Sequence, residues 1–142
     1  MINQASTPSN SVNIDHLYVE QHAELLLTTT SPAIIDRLKV LYDYRLHKVP
    51  VFRRALYKVV HQLVEQRRTL NPSEPIPTVD LYSMTISSMM DLLKTTLDTE
   101  LVGRIEDQTE GRLHRIPDFR NELFAIARQA AIDRALSAAK SE

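Results

Sequence analysis

The chain has 142 residues, 43% hydrophobic and 25% charged, which suits one globular domain with a sizeable core. It contains no cysteine, so disulfides, thiol nucleophiles, zinc fingers and iron–sulfur clusters are excluded, and no apolar run approaches the ~20 residues that span a bilayer. The net charge is only −1, yet residues 33–68 hold nine Lys/Arg against Asp36, Asp43 and Glu65, so the charge is distributed very unevenly along the chain.

Two glycines, Gly103 and Gly111, are too few for the turns of a sheet protein, while abundant Leu, Ala, Arg, Glu and Gln favour helix. The pattern predicts an all-α fold, a compact bundle of about five helices with a helix–turn–helix-like pair around Pro50. Residues 1–11 are polar and read as a disordered tail rather than a signal peptide; residues 12–142 read as a single cytoplasmic domain with no membrane contact. A first helix over residues 12–29 sets Ile14, Tyr18, His22 and Leu25 at helical spacing and ends in Thr28, Thr29 and Thr30. Ser31 as N-cap and Pro32 at the first position open a second, with Ile34, Leu38, Leu41, Tyr42 and Val49 inward and Arg45, His47 and Lys48 at its C-terminal end.

Pro50 cannot continue that hydrogen-bond ladder, so a tight turn or kink precedes a third helix over residues 50–68. Phe52, Leu56, Val59 and Leu63 line one of its faces; Arg54, Lys58, His61, Glu65 and Arg68 line the other. Residues 70–77, with three prolines, form a loop. Thr78 reads as the cap of a fourth helix that reaches Gly103, with Tyr82, Ile86, Met89, Leu93, Leu97 and Leu101 as its core face. The acidic stretch 98–117 reads as a loop with a short helical piece, and Asp118 as the cap of a last helix that buries Phe119, Leu123, Ile126 and Ala130. No internal repeat stands out.

Tests for chemistry return little. His16 with Glu20 and His61 with Glu65 have helix-face spacing, but neither pair lies on an apolar face where a bundle metal would sit. Residues 98–109 lack the fifth and twelfth oxygen ligands of a calcium loop, since Val102 and Thr109 stand there. There is no glycine-rich phosphate loop and no nucleophile elbow. His22, on an apolar seam, reads as a satisfied core histidine. The expectation is a non-enzyme with no metal and no cofactor.

One local conflict stands out. Arg53 and Arg54 occupy the first turn of the third helix, where the backbone is already positive, with Arg45 and Lys48 just before it. A bound phosphate would relieve that conflict. The expected site is therefore a nucleic-acid surface: Arg45, Lys48, Arg53 and Arg54 on phosphates, Lys58, Arg67 and Arg68 extending the contact, and Tyr57 stacking, with the third helix as reader. The partner would be DNA or RNA, the role regulatory or packaging, and the chain a candidate homodimer. The competing expectation sends the same cations to acidic segments of the chain itself. The alternative function is a protein–protein adaptor, chaperone or assembly subunit using the alanine-rich last helix and the Met84, Met89 and Met90 surface.

Overall fold

Six helices and no strand make up residues 13–141, the part of the chain described by this computed structural model. The expected all-α fold holds, with six helices in place of about five; the predicted tail, residues 1–11, lies outside the described residues. The helices are α1 (Val19–Thr28), α2 (Pro32–Tyr42), α3 (Pro50–Leu70), α4 (Ile86–Thr95), α5 (Thr99–Thr109) and α6 (Pro117–Ser141). Short 3-10 turns lie at Ile14–His16, Leu46–Lys48, Leu81–Ser83 and Glu110–Arg115.

The extra helix comes from a break inside the predicted fourth one. Thr96 Oγ1 accepts the Asp98 N–H at 3.0 Å, and the Asp98 carboxylate accepts the Glu100 N–H at 3.0 Å. These bonds end one helix and cap the next, as Thr29 and Ser31 do between α1 and α2, where the Ser31 N–H bonds Thr29 Oγ1 and Ser31 Oγ accepts the Ile34 N–H. The acidic stretch read as a loop is therefore largely α5. Tyr82, expected in the core, is exposed in the turn before α4, and Asp118 sits in the first turn of α6 rather than at its cap.

The same elements occur twice in the same order. Shifting the numbering by 67 lays Ile14–His16 on Leu81–Ser83, α1 on α4 and α2 on α5 with identical limits, and brings the starts of α3 and α6 together at Pro50 and Pro117. Residues 45–53 read RLHKVPVFR and residues 112–120 read RLHRIPDFR. The chain is a tandem repeat, residues 13–70 and 80–137, contrary to the expectation of none. Leu25 and Leu26 match Leu92 and Leu93, and Arg67 matches Arg134, but most positions have diverged.

The two repeats exchange helices. α2 packs on α6 and α5 on α3, while α3 and α6 pack on each other. From α3, Arg67 Nη1 donates to Leu93 O at 3.0 Å and Thr96 O at 3.2 Å, the carbonyl end of α4. From α6, Arg134 donates to Thr29 O at 2.8 Å and Leu26 O at 3.1 Å, the carbonyl end of α1. A helix C-terminus leaves unpaired carbonyls at the negative end of its dipole, so a guanidinium satisfies both demands. Burial lowers the pKa of both arginines. Reciprocal contacts between matched residues define a pseudo-twofold relation, with α3, α6 and the two turns before them next to the axis.

The core draws on both repeats: Leu26, Phe52 and Leu56 from one, and Leu93, Phe119 and Leu123 from the other, are each fully buried. His22 is the satisfied core histidine expected, bonded to the Tyr42 hydroxyl at 2.5 Å and to Ile14 O at 2.7 Å.

The reciprocity sets a test. Arg67→Met and Arg134→Met should each lower stability by about 1.5–3 kcal/mol, the usual scale for charge-assisted hydrogen bonds. Urea unfolding followed by circular dichroism should give similar losses for the two variants.

Candidate nucleic-acid interface

The repeated motif explains its own geometry. Proline is at no disadvantage at the first helical position, where its missing N–H would have no partner, and it forces the preceding residue to be extended. Val49 (φ −125°, ψ 80°) and Ile116 (φ −128°, ψ 76°) take nearly the same conformation for that reason. The motif leucines, Leu46 and Leu113, and phenylalanines, Phe52 and Phe119, are buried completely. The last arginine of each motif folds back: Arg53 Nη1 donates to Leu46 O at 3.0 Å, and Arg120 Nη1 to Leu113 O at 2.8 Å.

Acids cross between the repeats. Arg120 Nε bonds Asp43 Oδ1 at 3.1 Å, and Arg53 Nε lies 3.9 Å from Glu110 Oε2, the residue matched to Asp43. The turns themselves touch at His47 and His114, whose ring centroids are 4.2 Å apart. This junction is called the seam below. Arg45, Lys48, Arg112, His114 and Arg115 are exposed around it, as is Tyr44, beside Arg45 in sequence and 77% accessible.

Against this geometry the eight predicted residues divide evenly. Arg45, Lys48, Arg54 and Lys58 are exposed. Arg53 is only 9% accessible and belongs to the fold: the conflict read at the α3 N-terminus is relieved inside the molecule by Leu46 O and Glu110. Tyr57 is fully buried, its hydroxyl 2.6 Å from Thr109 Oγ1, and burial pushes its phenol well above the usual range, so it does not stack on a base. Arg67 ties down α4, and Arg68 Nη1 bonds Glu74 O at 2.5 Å in the segment joining the repeats.

The competing expectation, neutralisation by the chain's own acids, thus holds for Arg53. Arg53 and, less, Arg54 oppose the upward shift that burial, Glu110 and Asp107 impose on Glu106. α1, α5 and α6 pack on α3 and leave Arg54, Lys58 and Glu65 on its exposed face. The helices on either side of Pro50 exist, but α2 packs mainly on α6. Of the surfaces named for the adaptor reading, Ala127, Ala130, Ala131 and Met89 are buried and Met84 and Met90 are half-buried against the core, while Ala125, Leu136, Ala138 and Ala139 of α6 are exposed.

Arg112, His114, Arg115 and Tyr44 are the seam residues that the sequence reading passed over. Aligning the two RLH stretches would have found the first three.

No family model matches the sequence, and neither curated proteins nor solved structures give a match. Among the described residues, no helix is long and apolar enough to cross a membrane, and no group of three or more His, Asp or Glu could hold a metal ion.

His47 supplies a pH test. It is half-buried with Nδ1 unpartnered, and burial, then His114, Lys48 and Arg53, hold its imidazole below the ordinary value of 6.5. The unfolded chain therefore takes up this proton at a higher pH than the folded one. The stabilising contribution is complete above pH 6.5 and shrinks as pH falls through the window below it. Urea midpoints measured from about pH 7.5 down to 5 should fall for the wild type, and fall less for His47→Gln.

Proposed function

We propose that the protein is a non-enzymatic nucleic-acid-binding protein whose contact surface is the seam, with Arg45, Lys48, Arg112 and Arg115 reaching phosphates and His47 and His114 between them. One observation supports this most. The two repeats have diverged at most positions, yet both keep exposed cations at the first and fourth places of the RLH(K/R) turn.

For most matched residues of the motif the fold gives a reason: the leucine, phenylalanine and last arginine are buried, and the exposed proline starts the long helix. The exposed cations lack a shared one. Arg45 lies 5.0 Å over the Tyr42 ring, whereas Arg112 Nε bonds Gln108 O at 3.2 Å. The Lys48 and Arg115 side chains make no hydrogen bond or ion pair among the described residues. Cations held in common without a common internal partner suit an external anion, and clustered Lys/Arg is the footprint of phosphate binding. Arg54 and Lys58, exposed on α3, extend the positive surface.

Fluorescence anisotropy with a labelled oligonucleotide at about 50 and 200 mM salt tests the reading. Affinity should fall steeply between the two. Lys48→Ala combined with Arg115→Ala should weaken binding and flatten the salt dependence, with each phosphate contact removed lowering the slope by about one. Absence of binding at the lower salt would refute it.

A further inference from the structure

We infer that the seam engages a double-stranded nucleic acid across a local dyad of its backbone, one RLH(K/R) turn facing each strand. This rests on the nucleic-acid reading above and names the form of ligand that it takes.

The argument is one of symmetry. The matched fold-backs of Arg53 on Leu46 O and Arg120 on Leu113 O show that the two turns are built alike. Arg67 on α4 with Arg134 on α1, and Arg53 by Glu110 with Arg120 on Asp43, show that each repeat meets the other through the same positions. Arg45 and Arg112, and Lys48 and Arg115, are therefore related by the pseudo-twofold axis, and the His47–His114 contact at 4.2 Å marks where that axis passes between the turns. A duplex has antiparallel strands, so its phosphates obey local twofold axes whatever the sequence. A two-fold protein docks by aligning its own axis with one of these. A single strand has a direction and no such axis, so only one of the two turns could meet it in the favoured way.

The helices agree with this arrangement. α3 and α6 both begin directly after the turns, at Pro50 and Pro117, so their positive N-terminal ends approach the seam from matched positions. The exposed groups that match between the turns are phosphate-seeking cations on 3-10 turns, and the long helices are engaged in the core. The contact is accordingly to the backbone, and recognition is of duplex shape and charge rather than of base edges.

The full chain should be titrated against one mixed sequence as a single strand, a DNA duplex and an RNA duplex at equal salt. Arg45→Ala and Arg112→Ala are compared on the tighter duplex, with circular dichroism confirming that both fold. The expected result is a duplex bound about tenfold more tightly than the single strand, and losses for the two variants that agree within about twofold. Preference for either duplex supports the inference, and the two duplex arms tell DNA from RNA. A single strand bound as tightly as both duplexes, or a loss confined to one variant, overturns the dyad while leaving the nucleic-acid reading standing. No binding to any of the three removes both.

Discussion

A guanidinium on the carbonyl end of another repeat's helix is the contact on which this architecture depends. Short helices such as α1 and α4 end in carbonyls that their own residues cannot satisfy, and at only ten residues each they are marginal alone. The long helices supply the missing donors, but across the pseudo-twofold: Arg67 serves the second repeat and Arg134 the first. Leucines at matched positions, Leu26 and Leu93, are buried beside those bonds, so hydrophobic packing and polar satisfaction select the same pairing. With α2 on α6 and α5 on α3 as well, each repeat packs one of its short helices on the other repeat's long one, while α1 stays on α3 of its own repeat.

This constraint also decides which cations remain for a ligand. A basic residue in an amphipathic helix is ambiguous in sequence, because a carbonyl cap and a phosphate contact ask for the same side chain. Arg53, Arg67, Arg120 and Arg134 are resolved as caps by their distances to carbonyl oxygens. Arg68 and Arg104 likewise hold Glu74 O and Val79 O in the segment that joins the repeats. Subtracting them turns a broad basic stripe along α3 into a compact patch around the seam, drawn equally from both halves of the chain. The uneven charge along the sequence is thus a property of the first repeat's numbering more than of the surface, since Arg112 and Arg115 from an acidic part of the sequence stand beside Lys48 in space.

Much of the fold was legible in the sequence. Ser31 with Pro32, and the break at Pro50, set the starts of α2 and α3 correctly, although α2 ends at Tyr42 and not at Val49, and the apolar spacing of Phe52, Leu56 and Val59 named buried residues. The boundary between α4 and α5 was missed although its signal was present. Thr95, Thr96 and Asp98 repeat the pattern of Thr28, Thr29 and Ser31, but Leu93, Leu97 and Leu101 continue a helical spacing straight through it, and the longer period prevailed. The repeat escaped for a related reason: a short stretch of close identity is flanked by residues that agree only in character, such as Ile34 with Leu101 and Ile35 with Val102. As for the site, Arg45, Lys48, Arg54 and Lys58 could be picked as exposed by helical phase or turn position. Arg67 and Tyr57 could not be recognised as internal because their partners come from distant segments, nor Arg53, whose acid Glu110 is distant and whose bond to Leu46 O depends on the turn before Pro50 folding back.

The reciprocal ties make the two repeats one cooperative unit, and native-state hydrogen exchange measures that directly. Because α3 and α6 each complete the other repeat's helices, neither repeat can open while its partner stays folded. Slowly exchanging amides in α3 and α6 should share one opening free energy, equal to that of global unfolding, with the same denaturant dependence. A set of α6 amides that exchanges through a smaller opening while α3 keeps full protection, or the reverse, would show that the repeats stand independently and would contradict the account.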